Sequence, residues 1–316
     1  MCDRRMLHAQ VHCLQSCVGC YRGFSRVRQE ILVKRCLSVM AKSRFEYVKK
    51  FEANDSCLPN CWIVVRIDGK DFHRFTDAHG YEKPNDVRGL NLMTEAATYV
   101  MNQWKEICIA YGQSDEYSFV FRKDTTLFNR RSSKLMSIVN SLFSSAFVYN
   151  WGKCFGSVPL QYPPSFDARV VLYPSDDNLK DYLSWRQADV HVNNLYNTAF
   201  WSLVLKKGMT NTEAEERLRG TLTADKNEIL YSEFGINYNN EPPMFRKGTV
   251  LLRKLIRVEE GGRPRKVVLP FCIDIIGKQF WDENPEILNF RELQICDSGC
   301  ESQNSVSREA PKNSVS

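Results

Sequence analysis

From residue 40 onward the apolar positions fall into short strand-length runs and helical stripes. Residues 61–67 read CWIVVRI and stop at Asp68-Gly69, which predicts a buried strand ending in a turn. Between residues 85 and 104, Leu90, Met93, Ala97, Met101 and Trp104 recur every three or four positions behind Asn85 or Asp86 as a cap. That is the pattern of an amphipathic helix, and its stripe reads as core packing. Residues 107–111 (ICIAY) and 117–121 (YSFVF) flank Gly112-Gln113-Ser114-Asp115-Glu116, a hairpin with acids at its tip. A second helix is predicted over 130–151 from Leu135, Ile138, Leu142, Phe143 and Ala146, and FDARVVLY at 166–173 reads as a further strand.

The order β, α, β, β, α, β is the split βαβ plan: an α+β fold with an antiparallel sheet and two helices on one face, shared by polymerase palms and nucleotide cyclases. Beyond 175 the reading turns mostly helical, over 176 to about 205, 212–219 and 223 to about 234. Apolar runs at 250–256 and 267–276 suggest a late hairpin with a basic Gly261-Gly262-Arg263-Pro264-Arg265 turn. Before the palm, Ser43 and Glu46 have capping-box spacing, with Phe45, Val48 and Phe51 at helical intervals, so a short helix opens the folded part. The expected organisation is an extension at 1–39, a palm-like catalytic domain at 40–175, a helical and hairpin region at 176–296 and a disordered tail at 297–316.

Composition narrows the classes. With 43% apolar residues among 316 the chain can bury a sizeable core, and no run of eighteen apolar residues offers a membrane-spanning helix. A formal net charge of +6 suits a protein that meets a polyanion at one surface, and equally a slightly basic enzyme that does not. Twelve cysteines at irregular spacings, without a secretory segment, read as free thiols, and Cys17 and Cys20 form a lone CxxC rather than a zinc site. Residues 1–39 hold Arg4, Arg5, Arg22, Arg26, Arg28, Lys34 and Arg35 against only Asp3 and Glu30. That pattern resembles a mitochondrial targeting segment, the alternative being a dispensable extension before a second start at Met40.

In a split βαβ sheet the first strand and the central hairpin lie side by side, so Asp68 and Asp115 are placed to share divalent cations. Two carboxylates, a backbone carbonyl such as that of Gly69, and phosphate oxygens can complete the shells of two Mg2+ ions. Gly69 lets the backbone approach phosphate, and the Lys70-Asp71-Phe72-His73 turn can present successive N–H groups to it, unless it is an ordinary strand-to-helix turn. No GxGxxG follows a strand and no GxxxxGK[ST] loop is present, which argues against dinucleotide-binding and P-loop proteins. Arg130, Arg131 and Lys134, and the run from Trp185-Arg186-Gln187 to His191, Asn193, Asn194, Tyr196 and Asn197, offer groups that meet RNA phosphates and bases. Such an amide-rich helix can equally bond internally.

Several segments resemble the eukaryotic tRNA-histidine guanylyltransferase family. They are MAKSRFEYVKKFE from Met40, RIDGKDFHRF from Arg66, KPND from Lys83, IAYGQSDEYSFVF from Ile109, FDARVVLYPS from Phe166, LSWRQADVHVNNLYN from Leu183, GTLTADKNEILYSEFGINYN from Gly220 and FRKGTVL from Phe245. The resemblance runs, in order, over roughly residues 40 to 290. It implies a palm-like catalytic domain, two Mg2+ per active site, ATP and GTP as nucleotide substrates, tRNA(His) as partner, and a homo-oligomer, usually a tetramer, in the cytoplasm and/or mitochondrion. In that family the tRNA 5′-phosphate is adenylylated by ATP, the GTP 3′-hydroxyl displaces AMP, and pyrophosphate is removed, so growth runs 3′ to 5′.

By motif, Asp68 and Asp115 would ligate the metals with the Gly69 carbonyl. Asp68, Gly69, Lys70, Asp71, Phe72 and His73 with Ser114 and Asp115 would hold the triphosphate, and Glu116 would be the adjacent catalytic acid. Lys83, Asn85, Lys134, His191, Asn194 and Lys226 would be supporting contacts to phosphates or tRNA. Two alternatives stand beside this: a general template-dependent 3′–5′ polymerase repairing tRNA 5′ ends, and a non-catalytic RNA-binding module. The latter predicts eroded acids, whereas Asp68, Gly69, Ser114 and Asp115 are all present.

Overall fold

The computed structural model describes residues 44–256, 264–289 and 295–296. The extension at 1–39 with Cys17 and Cys20, the cap position Ser43, the Gly261-Gly262-Arg263 part of the basic turn and the tail from 297 lie outside the described residues. The chain forms two units, 1–54 and 55–316. In the first, the expected short helix is a 3-10 helix, Glu46–Phe51.

The second unit is built on an antiparallel sheet. Its strands are β1 (Trp62–Gly69), β2 (Ile107–Gln113), β3 (Glu116–Phe121), β4 (Phe166–Tyr173), β5 (Thr249–Ile256) and β6 (Arg265–Phe271), in the order β4-β1-β3-β2-β5-β6. A two-residue strand, β7 (Ile295–Cys296), adds in parallel to β5. The described α-helices are α1 (Phe72–Ala78), α2 (Val87–Gln103), α3 (Ser132–Phe155), α4 (Asp176–Lys207), α5 (Asn211–Leu218), α6 (Thr223–Phe234), α7 (Pro243–Lys247), α8 (Lys278–Glu283) and α9 (Glu286–Asn289). Among the described residues no helix is long and apolar enough to cross a membrane.

β1 is apolar at consecutive positions because both faces of the sheet are covered. Ile63, Val65 and Ile67 join Tyr117, Phe119 and Phe121 against α1, α2 and α3, in a core rich in Phe72, Phe75, Phe143, Phe147 and Trp151. Trp62 and Val64 point the other way, with Val120, Ile109 and Tyr111, onto Leu179, Tyr182, Leu183 and Val190 of α4 and onto Phe280 and Trp281. A third cluster joins Leu195, Ala199 and Leu203 of α4 to Ala214, Leu218, Leu230 and Tyr238. The helices on the first face match the split βαβ plan. The long α4 on the second face, and the late hairpin adding to the same sheet beside β2, complete it.

Local signals set the ends. Asp86 caps α2, its carboxylate accepting from the Arg88 N–H at 2.8 Å, an interaction worth about 1 kcal/mol. Thr210 and Glu213 form a capping box at the start of α5, and Gly208 ends α4 at φ 75°. In α2 the buried stripe is Leu92, Met93, Ala96, Ala97, Val100 and Met101, which includes Met93, Ala97 and Met101 of the expected one and leaves Leu90 and Trp104 half-buried. α3 starts at Ser132 rather than 130, because Phe128, Asn129 and Arg130 all have positive φ and cannot continue a helix inward. β6 stops at Phe271, short of the expected 276. The next residues leave the sheet, and the buried Ile275 N–H donates to Gln187 Oε1 at 2.8 Å.

Candidate active site

The first strand runs two residues further than its apolar stretch, so Asp68 and Gly69 are the last residues of β1. β2 and β3 likewise extend to Gln113 and Glu116, which pair, leaving Ser114 and Asp115 as a two-residue turn with Ser114 at φ 47°. In the sheet register Asp68 lies between Glu116 of β3 and Asp167 of β4. The Gly69 N–H donates to the Asp115 carbonyl at 3.1 Å. A Cβ on Gly69 would meet Asp115 Oδ2 at 2.8 Å and the Phe72 ring at 2.5 Å. Glycine at 69 is therefore a condition for bringing the Asp115 carboxylate over the end of β1. Gly112 plays a similar part, since a Cβ there would strike the Tyr117 ring at 2.1 Å.

The two aspartates differ in surroundings. The Asp68 side chain is 37% exposed, with Arg66 Nη2 at 3.9 Å. Burial, and then the negative charge of Asp68, push the Asp115 carboxyl up to about 6, only partly offset by a Ser114 hydrogen bond and by His73. Among the described residues no lysine or arginine forms an ion pair with Asp115, whose charge the chain leaves largely uncompensated, while Asp68 has Arg66 beside it. No described group of three or more His, Cys, Asp and Glu side chains is arranged to enclose a metal. Two carboxylates and a carbonyl suit a hard cation that takes its remaining ligands from phosphate and water, and the residues present fit Mg2+ on that ground.

Beside Asp115 opens a cleft, continuous with solvent, whose walls include His73, Thr76, Lys83, Asn85, Ser114 and Trp201. α1 enters it N-terminus first. Asp71 precedes α1 at φ 52° without a side-chain cap bond, and Phe72 and His73 of the first turn line this cleft. The phosphate-facing turn is narrower than expected, because the Lys70 N–H donates to the Ser165 carbonyl at 2.8 Å and is not free. The Phe72 ring is buried against Phe75, Phe147 and Phe166, so that residue can offer only its backbone. Lys83 sits on the cleft wall, paired to Asp77 at 2.9 Å with its ammonium 5.4 Å from the Trp201 ring.

Several expected contacts have different parts in the structure. Glu116, 8% exposed, is gripped by Arg186 Nη1 at 3.0 Å and lies 3.6 Å from Arg66 Nε, so it serves as the counter-ion of two enclosed guanidiniums rather than a free acid in the cleft. Burial raises its pKa and the two arginines oppose that. Asn194 is buried, accepting from the Asn85 amide at 2.9 Å and donating to the Tyr238 hydroxyl at 3.0 Å. It ties α4 to the cleft wall. His191 packs its ring on Tyr238, and burial followed by the Arg246 charge lowers its pKa. Lys226 folds back to the Thr221 carbonyl at 2.7 Å at the start of α6.

Lys134 stands at the opposite end of the sheet, 5.2 Å from the Phe128 ring. Beside it Arg130 donates to the carbonyls of Cys57, Leu58, Cys61, Lys123 and Thr125. Within one chain Lys134, His191, Asn194 and Lys226 do not line the cleft. The amide-rich stretch of α4 mostly bonds internally. Gln187 donates to the Lys247 and Ile273 carbonyls, both at 2.9 Å.

Residue-by-residue reading missed Thr76 and Trp201 on the cleft wall and Arg66 beside Glu116, while Arg186 and Asn197, expected to meet RNA, lie against Glu116 and on the cleft wall. Signals existed: Asn194, Asn197 and Trp201 are spaced three and four apart on α4, and Arg66 precedes Asp68 by two, hence on the same strand face.

Comparison with known proteins agrees with this fold. The family model described as tRNAHis guanylyltransferase matches residues 45–174, and that described as Thg1 C terminal domain matches 177–304. A probable tRNA(His) guanylyltransferase of Drosophila melanogaster is 65% identical over 249 residues, covering 79% of this chain and 86% of the relative. The crystal structure of the Saccharomyces cerevisiae enzyme aligns with a TM-score of 0.64 at 50% identity, over 66% of this chain and 93% of that one. A bacterial Thg1-like protein solved with ATP aligns at a TM-score of 0.58 and 23% identity, over 77% of this chain and 96% of that one, a likeness of fold. With one aspartate at the end of β1, another at the tip of the β2–β3 hairpin and matches along most of its length, the chain belongs to the tRNA(His) guanylyltransferase family, and is a nucleotidyltransferase.

Proposed function

We propose that this enzyme adds one guanylate to the 5′ end of tRNA(His) by ATP-dependent activation with two Mg2+ ions. The observation that carries the reading is the Asp115 carboxylate lying over Gly69 at the end of β1, beside Asp68 and at the mouth of the cleft. Asp68, Asp115 and the Gly69 carbonyl would hold the two ions, which when bound would neutralise triphosphate charge and ease deprotonation of the attacking hydroxyl. ATP and GTP are supported as the nucleotides by bacterial Thg1-like proteins solved with each of them.

In the first step an oxygen of the tRNA 5′-phosphate attacks the ATP α-phosphorus, and pyrophosphate leaves. In the second the GTP 3′-hydroxyl, losing its proton, attacks the activated 5′-phosphorus and AMP leaves. Hydrolysis then removes pyrophosphate from the added guanylate. The chain's own contribution is positioning and charge: the first turn of α1 at Phe72 and His73 would meet the nucleotide's phosphates, Ser114 hydrogen-bonds the Asp115 carboxylate, and Lys83 adds a cation on the wall.

Incubation with labelled GTP, ATP and 5′-phosphorylated tRNA(His) lacking the extra guanylate, followed by mapping of the product's 5′ end, tests the reading. Addition of a single guanylate is expected. Equal extension of other tRNAs truncated at their 5′ ends would instead favour general 3′–5′ repair. The reading also includes a homotetramer, checked by light scattering. The basic, acid-poor residues 1–39 support mitochondrial import alongside a cytoplasmic form started at Met40, checked by fluorescent fusions.

A further inference from the structure

The helix whose N-terminus faces the cleft is too short to hold its own place. α1 has seven residues, well below the length at which a helix is stable alone, so its direction is set by what grips it. Phe72 and Phe75 anchor one side in the aromatic core. The irregular segment 156–165, between α3 and β4, takes hold of both ends. At the N-terminal end the Ser165 carbonyl accepts the Lys70 N–H at 2.8 Å. At the C-terminal end the grip is His79.

His79 is 4% exposed and does not line the cleft. Its Nδ1 lies 2.7 Å from the Phe75 carbonyl, an acceptor, so Nδ1 carries the proton. Its Nε2 accepts the Gln161 backbone N–H at 2.9 Å, which only an unprotonated nitrogen can do. One tautomer of the neutral imidazole satisfies both bonds. The ring is further held 4.0 Å from Phe75, 5.0 Å from Trp151 and 5.2 Å from Tyr162, centroid to centroid. Beyond the Trp151 Nε1–H donated to the Val158 carbonyl at 2.8 Å, the His79 bond is the described side-chain tie at the middle of this segment.

The geometry points to His79 as a positioning residue for the nucleotide site. By pinning segment 156–165 at Gln161 it keeps Ser165 over Lys70, and so fixes the tilt of α1 and the placement of His73 and Thr76 on the cleft wall. This rests on the reading of that cleft as the nucleotide site.

The variants separate the two bonds of the ring. His79→Gln can return an acceptor toward Gln161, His79→Asn returns only a donor toward Phe75, and His79→Phe fills the space with neither. Steady-state kinetics with GTP and hydrogen exchange at the Lys70 amide are the readouts, with thermal melting to confirm folding. His79→Phe and His79→Asn are expected to raise the GTP KM about tenfold, the scale of one buried hydrogen bond, with kcat within about threefold and faster Lys70 exchange. His79→Gln is expected to stay close to the unsubstituted enzyme in both. Unchanged KM and Lys70 exchange in the Phe variant, equal damage in Gln and Phe, or a loss confined to melting temperature and kcat would each overturn the assignment. If the Phe variant does not fold, the Gln and Asn pair decides. Should the unsubstituted enzyme bind neither GTP nor ATP, the function proposed above fails, while Lys70 exchange still decides whether His79 pins the segment.

Discussion

At the hairpin end of β1 and β3 the charge of Asp68 raises the pKa of Asp115, which has no lysine or arginine partner among the described residues, and Asp68 itself has Arg66 alone at 3.9 Å. At the other end, one eight-residue strand or about 25 Å away, Arg130 delivers its guanidinium to five backbone carbonyls and Lys123 pairs with Asp176. In the sequence both regions are short charged turns next to apolar runs. In the structure one has its charge fully consumed by the fold, while the other holds charge in reserve for something outside the chain. Uncompensated charge near a cleft marks chemistry, and charge matched by carbonyls marks architecture.

The largest effect expected from this contrast is at the acids. Asp68→Ala or Asp115→Ala should lower guanylate transfer at least a thousandfold, about 4 kcal/mol, at unchanged circular dichroism. Comparable incorporation by either variant at saturating magnesium would sink the assignment. Arg130→Ala should do the reverse, costing about 1–3 kcal/mol in urea denaturation by leaving several part-buried carbonyls without their donor, with kcat of the folded fraction within about threefold.

Glu116→Gln sharpens the boundary between the two kinds of charge. Removing the counter-ion of Arg66 and Arg186 should cost about 2–3 kcal/mol of stability, with transfer falling through the folded fraction. A fully stable variant with no activity would instead place Glu116 in the chemistry.

The smallest expected effect concerns Asp115 in metal-free protein. Its folded pKa, about 6, lies above the ordinary carboxylate value, so the ionised group opposes folding above that pH and costs nothing below the unfolded value. Asp115→Asn should therefore raise stability by about 1–2 kcal/mol at pH 7.5 and leave it unchanged near pH 3.5. Adding magnesium should raise the melting temperature of the unsubstituted protein and not of the variant. An identical magnesium response in both would argue that Asp115 binds no metal.

Much of this was legible in the residue order. The run ending at Asp68-Gly69 and the acids of the 112–116 connection announced a strand end and a hairpin tip, because turn chemistry and strand alternation are local rules. The strand at Phe166–Tyr173 and helices α4 to α6 followed the same way. What was not legible depended on partners far along the chain. Glu116 looks like Asp115's equal until Arg186, seventy residues later, closes on it. Asn194 and Gln187 look like RNA contacts until Tyr238, Lys247 and Ile275 claim their amides.

By itself, then, the sequence determined the elements, their order, the acids at the strand end and hairpin tip, and the family to which the chain belongs. Only the tertiary structure decided which charged and amide groups are spent inside the protein and which remain for substrate. Periodicity and turn propensity act over a few residues, whereas the fate of a charge is set by desolvation and by whichever partner the completed fold places within hydrogen-bond distance.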